Sequence, residues 1–401
     1  MADAPILVLS ATPLGDRKIL GLSLHRRWAL AARRGGFREV LLLGGGTSAP
    51  SEMATVPTWV DVAASLPPGE ASPLLVAAAN VLAETDWLTR LAEPDAADAA
   101  WAAAPGRVVR ISGTQAARAL SALGEESAAD LGEVEAVLAR CLGPPVPLAE
   151  GIDPLLVAGP GNERAAERRL MQKLVKDTDG FMARHVERPI SLQISRLLAP
   201  TAITPNQMSL ISIAIGISAG PFFLSSGPLM QTIGALLFLA HSILDGCDGE
   251  LARLKFQQSR LGGMLDFWGD NVVHVVIFAC MAVGWSLSAG AGWPLLLGVG
   301  AVLGTLGSAG FVYWRLMREK DGGGSLFTSV SAEPERPLAK ALDAASRRDF
   351  IYLVVLLALF GRSNWFVLLA GIGAPIYCLM LVFLALREER SDGKARAAGG
   401  A

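Results

Sequence analysis

The sequence predicts a soluble α/β domain followed by an all-α six-helix transmembrane domain. The 401 residues are 52% hydrophobic, and the apolar residues are unevenly distributed along the chain. Before about Pro189 the sequence is rich in alanine but charged throughout, whereas after Gln207 it breaks into apolar runs of membrane-spanning length. This change in composition places the boundary between a soluble domain and a polytopic membrane domain.

Short apolar segments with a helical stretch between them predict the α/β fold of residues 1–160. The predicted strands run from Pro5 to Leu9, Glu39 to Leu43, Pro73 to Ala78 and Arg107 to Ile111. Helices are predicted from Leu22 to Arg34 and, in an Ala-rich segment, from Asp95 to Ala104. Strand, helix and strand at this spacing are typical of a three-layer α/β domain.

Residues 161–204 are predicted to connect the two domains through charged and amphipathic helices. Between Pro189 and Pro200, Ile190 and Ile194 fall on one side of a helix and Ser191 falls elsewhere. This pattern predicts a short helix lying in the membrane interface. Thr204 and Pro205 then have the pattern of a helix start.

Residues 205–390 are predicted to cross the membrane six times and to be followed by a flexible tail, 391–401. The predicted spans run from about Met208 to Ser225, Met230 to Ala252, Gly263 to Ala289, Pro294 to Trp314, Phe350 to Phe360 with its flanks, and Phe366 to Leu386. Lys and Arg are concentrated in one set of connections, and the opposite set carries only Arg362. The positive-inside rule therefore predicts a cell-membrane protein with both termini in the cytosol.

Composition argues against several other classes of protein. The net charge is −2 and no basic patch is interleaved with aromatic residues, so we expect no nucleic-acid partner. The four cysteines lack metal-ligand spacing and are predicted to be packing residues. The opening MADAPILVLSATPLG has no basic leader and no long apolar core, so we expect the α/β domain in the cytosol.

The candidate active site lies in the stretch DGCDGELARLKFQQSRLGGMLDFWGD, from Asp245 to Asp270. Helical spacing places five residues on one face, namely Asp245, Asp248, Gly249, Ala252 and Arg253. A following helix would align Gly262, Asp266 and Asp270, with His274 one turn further. Two helices would thus bring four carboxylates together.

Four converging carboxylates repel one another unless cations lie among them, and hard oxygen ligands suit Mg2+ or Mn2+. The small residues Gly249, Ala252 and Gly262 would let a bulky ligand approach the backbone. Arg253 offers a guanidinium suited to phosphate. The pattern therefore predicts a nucleotide diphosphate bound on two metal ions.

These eight positions resemble the signature of the CDP-alcohol phosphotransferase family. The resemblance implies transfer of a substituted phosphate group from a CDP-alcohol to an acceptor alcohol, with release of CMP. It implies that Asp245, Asp248 and Asp266 hold one metal ion. Asp270 would help to hold the second ion and would accept the proton of the acceptor hydroxyl.

The resemblance also implies how the nucleotide is bound. Gly249, Arg253 and Ser259 match positions that bind the CDP part in relatives, and Asn206 lies in a Thr-Pro-Asn start similar to the family's. Asn206 is equally well explained as part of a helix start, and His274 is either a core histidine or a second base. The resemblance further implies a homodimer. The donor is either CDP-diacylglycerol or a water-soluble CDP-alcohol.

A phosphorylated acceptor such as inositol phosphate would need further cations. The candidates are Lys255, Arg260, Arg315, Arg318, Arg347 and Arg348, each of which is otherwise explained by the positive-inside rule.

The first domain is similar to the sugar-phosphate nucleotidyltransferase fold found in enzymes that make di-inositol phosphates. Its loop SATPLGDRK lacks the family's Gly, Arg and Pro-Lys pattern, and Asn80 stands where a metal-binding Asp is expected. This domain is therefore predicted to be inactive. The alternative for the whole chain is an inactive membrane anchor with a partner-binding first domain.

Overall fold

The computed structural model divides the chain into two compact units, Met1–Lys173 and Leu174–Ala401. It describes residues 4–44, 50–65, 73–93, 99–128, 130–175, 179–318 and 350–399, with side chains omitted at 316–318 and 388–399. The first unit is an α/β domain and the second is helical. This confirms the predicted order of an α/β domain followed by an all-α membrane domain.

Within the described residues, a seven-stranded mixed sheet forms the centre of the first unit. In chain order its strands are β1 (Ile6–Ser10), β4 (Glu39–Leu43), β5 (Ala54–Val56), β6 (Leu74–Ala78), β7 (Trp101–Ala104), β8 (Val108–Ile111) and β9 (Val146–Pro147). They are arranged as β5-β4-β1-β6-β8-β7-β9, and β8 is antiparallel to both neighbours. A two-residue ladder joins β2 (Lys18–Ile19) to β3 (Leu22–Ser23). Every residue of β1 and β6 is buried, so the middle of the sheet is covered on both faces.

Helices cover this sheet, and two of those described begin at residues whose side chains cap the helix. The helices are α1 (Leu24–Arg34), α2 (Trp59–Ser65), α3 (Thr85–Ala92), α4 (Gly113–Glu126), α5 (Leu131–Leu142) and α6 (Pro160–Gln172). Ser23 accepts a hydrogen bond from the Arg26 amide at the start of α1, and Asp130 accepts one from Glu133 at the start of α5. Trp28 of α1 packs edge-on against Trp87 of α3, with ring centroids 5.6 Å apart.

One prediction in this domain is wrong. Trp101–Ala104 is strand β7, whereas the sequence predicts a helix through Ala104; residues 94–98 lie outside the described residues. The strand pairs with β8, and the Trp101 indole N–H donates to the Gly143 carbonyl at 2.9 Å. Alanine's helix preference is worth only about 0.7 kcal/mol or less per residue against most others. Sheet pairing and burial of Trp101 therefore determine the structure of this segment.

A buried carboxylate holds α6 within the first unit. Glu84 is 4% exposed, and its carboxylate lies 2.7 Å from the Arg169 guanidinium and 2.9 Å from the Lys173 ammonium. Arg17 is paired with Glu163 of the same helix. Nearby, burial lowers the pKa of Arg27 to about 10, although the negative charge of Glu84 opposes this shift. A buried Glu is stable here because two cations neutralise it.

We expect Glu84→Gln to destabilise the first unit by about 2 kcal/mol, because it leaves two cations without their shared carboxylate. The loss should fall below that of a fully buried pair, since Lys173 is 39% exposed. Hydrogen exchange of β6 and α6 peptides in the intact protein measures this loss of stability. Glu126→Gln is the control, because its pair with Arg140 is exposed and should contribute little. Equal effects of the two substitutions would contradict this account.

The second unit is a bundle of membrane-length helices. Its helices are α7 (Arg188–Leu198), α8 (Pro205–Ala219), α9 (Pro228–Leu254), α10 (Arg260–Ala289), α11 (Trp293–Arg318), α12 (Phe350–Leu359) and α13 (Asn364–Gly399). Among the described residues, five segments are long and apolar enough to cross a membrane, namely Pro205–Leu224, Pro228–Leu254, Arg260–Ala289, Trp293–Arg315 and Asn364–Arg387. They match five of the six predicted spans. Helix α12 lies in the remaining predicted span, Phe350 to Phe360. The residues just before this helix are outside the described residues.

The connecting helix α7 presents a small polar face to the protein. Ser191 and Ser195 are buried, whereas Ile190 is 43% and Leu197 is 74% exposed. This outward apolar face is the arrangement expected of a helix in the membrane interface. Helix α8 then begins with a capping box, in which Thr204 and Gln207 each bond the other's backbone amide.

Candidate active site and metal centre

Three aspartates from two helices converge in the second unit. Helix α9 carries Asp245 and Asp248 one turn apart, and α10 carries Asp266. One carboxylate oxygen from each lies within 4.8 Å of the others. Asp245 and Asp248 are each 6% exposed. Three hard oxygen donors at this separation, two of them buried, fit a divalent ion such as Mg2+ or Mn2+. We call these residues the aspartate trio.

The turn between α9 and α10 fixes the approach of the two helices. Ser259 caps α10, and its hydroxyl accepts a hydrogen bond from the Gly262 amide at 3.0 Å. The Lys255 ammonium donates to the carbonyls of Thr201 and Ile203 at 2.8 and 2.6 Å. The end of α9 is therefore tied to the loop before α8, which brings three helices to the trio. Lys255 thus has a structural role here.

A serine that sequence reasoning missed contacts the trio. The Ser209 hydroxyl of α8 donates to the Asp248 carboxylate, and Ser209 is 2% exposed. A buried donor of this kind fixes the rotation of a carboxylate and leaves its other oxygen for a ligand. The only signal in the sequence was a polar residue near the start of an apolar span.

Asp270 has a histidine partner that sequence reasoning also missed. It follows Asp266 by one turn on α10 and is not part of the trio. The Nε2 atom of His241 lies 3.4 Å from the Asp270 carboxylate, and the His241 Nδ1–H donates to the Ser212 carbonyl at 2.9 Å. His241 lies four residues before Asp245, so spacing alone could have placed it on the aspartate face of α9.

His274, which sequence reasoning considered as a second base, lies among aromatic rings. Its ring stacks on Phe278 with centroids 6.1 Å apart and meets the edge of Phe238 at 5.6 Å. Phe350 completes these surroundings at 5.6 Å. These contacts are those of a core histidine.

The small residues of the sequence pattern leave room beside the trio. A Cβ atom at Gly249 would meet no other atom within 4 Å, so open space adjoins Asp248 there. At Gly262, a Cβ atom would lie 3.0 Å from the Asn206 carboxamide oxygen. The structure therefore brings Asn206 next to Gly262 and Ser259. Ala252, half-buried, lies on α9 one turn from Gly249.

Arg253 lies next to the segment that precedes α7. Its guanidinium donates to the Leu174 carbonyl at 3.3 Å, and its buried Nε has no hydrogen-bond partner among the described residues. Three residues before Arg253 on α9, Glu250 accepts hydrogen bonds of 2.7 Å from Arg188 and Ser191. Glu250 is fully buried, so this network anchors the connecting helix to α9.

Among the other candidate cations for a phosphorylated acceptor, the side chains of Arg318, Arg347 and Arg348 lie outside the described residues.

Comparison with known families identifies the helical segment around the trio. Residues 202–333 match the family model of CDP-alcohol phosphatidyltransferase. The segment includes the trio, Asp270, Gly249, Arg253, Ser259 and Gly262. By sequence, about a third of the chain is therefore similar to this family. This confirms the resemblance seen in the sequence.

Curated relatives of this segment include enzymes named bifunctional IPC transferase and DIPP synthase. The one from Thermococcus kodakarensis is 38% identical over 138 residues, covering 34% of this chain and 31% of the relative. The one from Archaeoglobus fulgidus is 39% identical over 121 residues, covering 30% and 24%. An archaetidylinositol phosphate synthase from Pyrococcus horikoshii is 29% identical over 152 residues, covering 38% and 73%. The match to the first two relatives thus spans a third or less of their length.

A solved structure of Mycobacterium tuberculosis phosphatidylinositol phosphate synthase with CDP-DAG bound superimposes with a TM-score of 0.34. It is 17% identical, and the superposition covers 49% of this chain and 92% of that one. A similarity of this size carries no structural conclusion.

We expect Ser209→Ala to weaken Mn2+ binding about 10- to 100-fold, because a ligating carboxylate loses the donor that orients it. Electron paramagnetic resonance titration of the purified protein with Mn2+ measures this directly. Ser212→Ala is the matched control, since Ser212 is equally buried on α8 but its hydroxyl donates to the Ser209 carbonyl. Unchanged Mn2+ affinity in Ser209→Ala would show that Asp248 needs no such support.

Proposed function

We propose that this protein is a metal-dependent membrane CDP-alcohol phosphotransferase. The observation that carries the proposal is the aspartate trio, two buried carboxylates and one half-buried, inside the segment that matches the CDP-alcohol phosphatidyltransferase family. The acceptor oxygen attacks the phosphorus remote from cytidine, and the bond from that phosphorus to the bridging oxygen breaks. CMP leaves with the bridging oxygen, and the acceptor becomes a phosphodiester.

The residues divide between metal binding and substrate binding. Asp245, Asp248 and Asp266 hold one Mg2+ or Mn2+, and Asp270 contributes to a second. Ions held there would supply positive charge against the diphosphate and the departing CMP. The nucleotide occupies the open space at Gly249. Its polar contacts come from residues placed around that space, namely Arg253, Asn206 and Ser259, while Ala252 and Gly262 leave room for it.

Asp270 accepts the proton of the acceptor hydroxyl. Its position one turn beyond Asp266 supports this role, because it lies close to the trio without being part of it. The Nε2 atom of His241 lies 3.4 Å from one oxygen of the Asp270 carboxylate, so a histidine adjoins the proposed proton acceptor. Proton transfer then depends chiefly on how the acceptor is positioned.

The orientation follows from the charge of the connections. The trio lies near the end of α9 and the start of α10, where Lys255 and Arg260 are also located. We propose six spans in the cell membrane, with the active site and both termini in the cytosol. The donor is CDP-diacylglycerol or a soluble CDP-alcohol, the acceptor is an alcohol such as inositol phosphate, and the protein is a homodimer.

An inactive membrane anchor is the alternative that the sequence left open. Burying an ionised carboxylate, as at Asp245 and Asp248, is costly unless it is paired or binds a metal ion. An anchor without catalytic activity has no need of three clustered carboxylates, so the trio favours an enzyme.

We expect CMP release to require Mg2+ or Mn2+ and to be abolished by Asp245→Asn, Asp248→Asn or Asp266→Asn. Each substitution removes an anionic ligand from the trio. CMP release is measured with a panel of CDP-alcohols and alcohols, with and without chelator. Asp130→Asn is the control, because Asn caps a helix as well as Asp does. Activity that survives the chelator would refute the metal assignment.

We expect Asp270→Asn to lower turnover by roughly 10^2 to 10^4 while CDP-alcohol affinity falls much less than in Asp245→Asn. The amide keeps the shape of the side chain but cannot accept the proton. Binding and turnover should be measured on the same variant in saturating Mg2+. If binding is lost in step with turnover, Asp270 acts chiefly as a metal ligand. The proton acceptor would then be sought at His241.

The first domain is proposed to make no CDP-alcohol. Asn80 follows β6, and in the loop after β1, Arg17 is paired with Glu163. The full-length protein with CTP and a panel of sugar or polyol phosphates should therefore release no pyrophosphate above background. An active nucleotidyltransferase assayed in parallel is the control. Robust pyrophosphate release would show that the domain is active.

A further inference from the structure

A second polar region lies at the other end of the spans. A cavity of about 280 Å3 is lined by residues from the end of α10, the start of α9 and the connection between α12 and α13. Gln231 of α9 lines it, and Asp245 of the trio lies 14 residues further along the same helix. At 1.5 Å per residue this separation is roughly 21 Å. The cavity is therefore distinct from the proposed active site.

Among the described residues, the lining of this cavity is mainly polar and contains one cation and no acid. Its polar side chains are Ser225, Ser226, Gln231, Ser288, Arg362 and Asn364, with Ser363 buried beneath them. Arg362 is the only Lys or Arg in the three connections at this end of the spans. Among the described residues no carboxylate pairs with its guanidinium. A guanidinium surrounded by hydroxyl and amide donors suits a phosphate group.

The walls of the cavity are held in place by a buried glutamine. Gln231 is 5% exposed, and its amide donates to the Ser225 carbonyl at 3.1 Å. Its carboxamide oxygen accepts a hydrogen bond from the Ser363 amide at 3.1 Å. Gln231 therefore joins the connection before α9 to the connection before α13. The hydroxyl and guanidinium donors are mounted on a preformed frame, which lowers the entropy lost on binding.

The surroundings of the cavity are those of a lipid interface. Trp285 lines it and packs edge-on against Trp293, with ring centroids 4.6 Å apart. Tryptophans are enriched where a membrane meets water. Leu229, Leu287 and Trp365 in the same connections and helix ends are 68%, 71% and 58% exposed. A polar cavity with an apolar rim can hold a head group while acyl chains lie along the helices.

We propose that this cavity binds the phosphate group of an anionic phospholipid in the leaflet remote from the aspartate trio. Soluble phosphate offers the same chemistry to Arg362. The exposed apolar rim and the location at a helix end favour a lipid as the source of the phosphate group. Lipid binding at this end would stabilise the bundle without entering the reaction.

The test uses the full-length protein in a neutral detergent. Phosphatidylglycerol, phosphatidylcholine with the same acyl chains, or inorganic phosphate is added. Native mass spectrometry measures the retained lipid, and thermal unfolding measures stabilisation. We expect phosphatidylglycerol to be retained preferentially and to raise the unfolding midpoint more than the other two additions. Arg362→Gln should weaken this binding about tenfold, through loss of a charged hydrogen-bond donor.

Three further variants make the test specific. Arg362→Lys should keep most of the binding, and Ser226→Glu should lose it by placing a carboxylate in the exposed mouth. Arg387→Gln, which removes an exposed charge elsewhere on α13, should bind like the unmodified protein. Equal phosphatidylglycerol retention in the unmodified, Arg362→Gln and Ser226→Glu proteins would overturn the proposal. So would stabilisation by inorganic phosphate with no preference for phosphatidylglycerol. Neither readout depends on CMP release, so the result stands apart from the proposed function.

Discussion

The membrane unit depends on the convergence of carboxylates from α9 and α10. The oxygens of Asp245, Asp248 and Asp266 lie within 4.8 Å of one another. At an effective dielectric constant of 20, two unit charges at this separation repel by roughly 3.5 kcal/mol. Bound divalent ions would offset this repulsion, which links the packing of the two helices to the proposed chemistry.

The residues around the trio explain how the helices are kept at this distance. Lys255 bonds the loop before α8, and Ser209 of α8 bonds Asp248. On the other face of α9, Glu250 binds Arg188 and so fixes the connecting helix. The trio is therefore supported from both sides of α9. This support allows carboxylates to be held in a geometry that they would not adopt by themselves.

The sequence predicts much of this arrangement because helical periodicity is local. Spacings of three and four residues place Asp245 with Asp248 and Asp266 with Asp270, whatever the rest of the chain does. Contacts between helices are not encoded in this way. Ser209 reaches the site because α8 packs against α9, and it does not belong to the spaced pattern. The contact of His241 with Asp270 likewise joins two helices, α9 and α10. In the first unit, Trp101–Ala104 shows the same limit, since pairing with a distant strand overrides the helix preference of alanine.

Phosphoryl transfer by the trio is the central claim, and the fate of the phosphorus tests it most directly. Phosphorus NMR of the purified protein with Mg2+, a CDP-alcohol donor and an acceptor alcohol follows both phosphorus atoms at once. The account predicts that the phosphorus remote from cytidine appears in a new phosphodiester. The other phosphorus should appear in CMP in equal amount, and the Asp248→Asn protein should form neither product. Hydrolysis to free phosphate without a phosphodiester, or the same products from Asp248→Asn, would contradict the account.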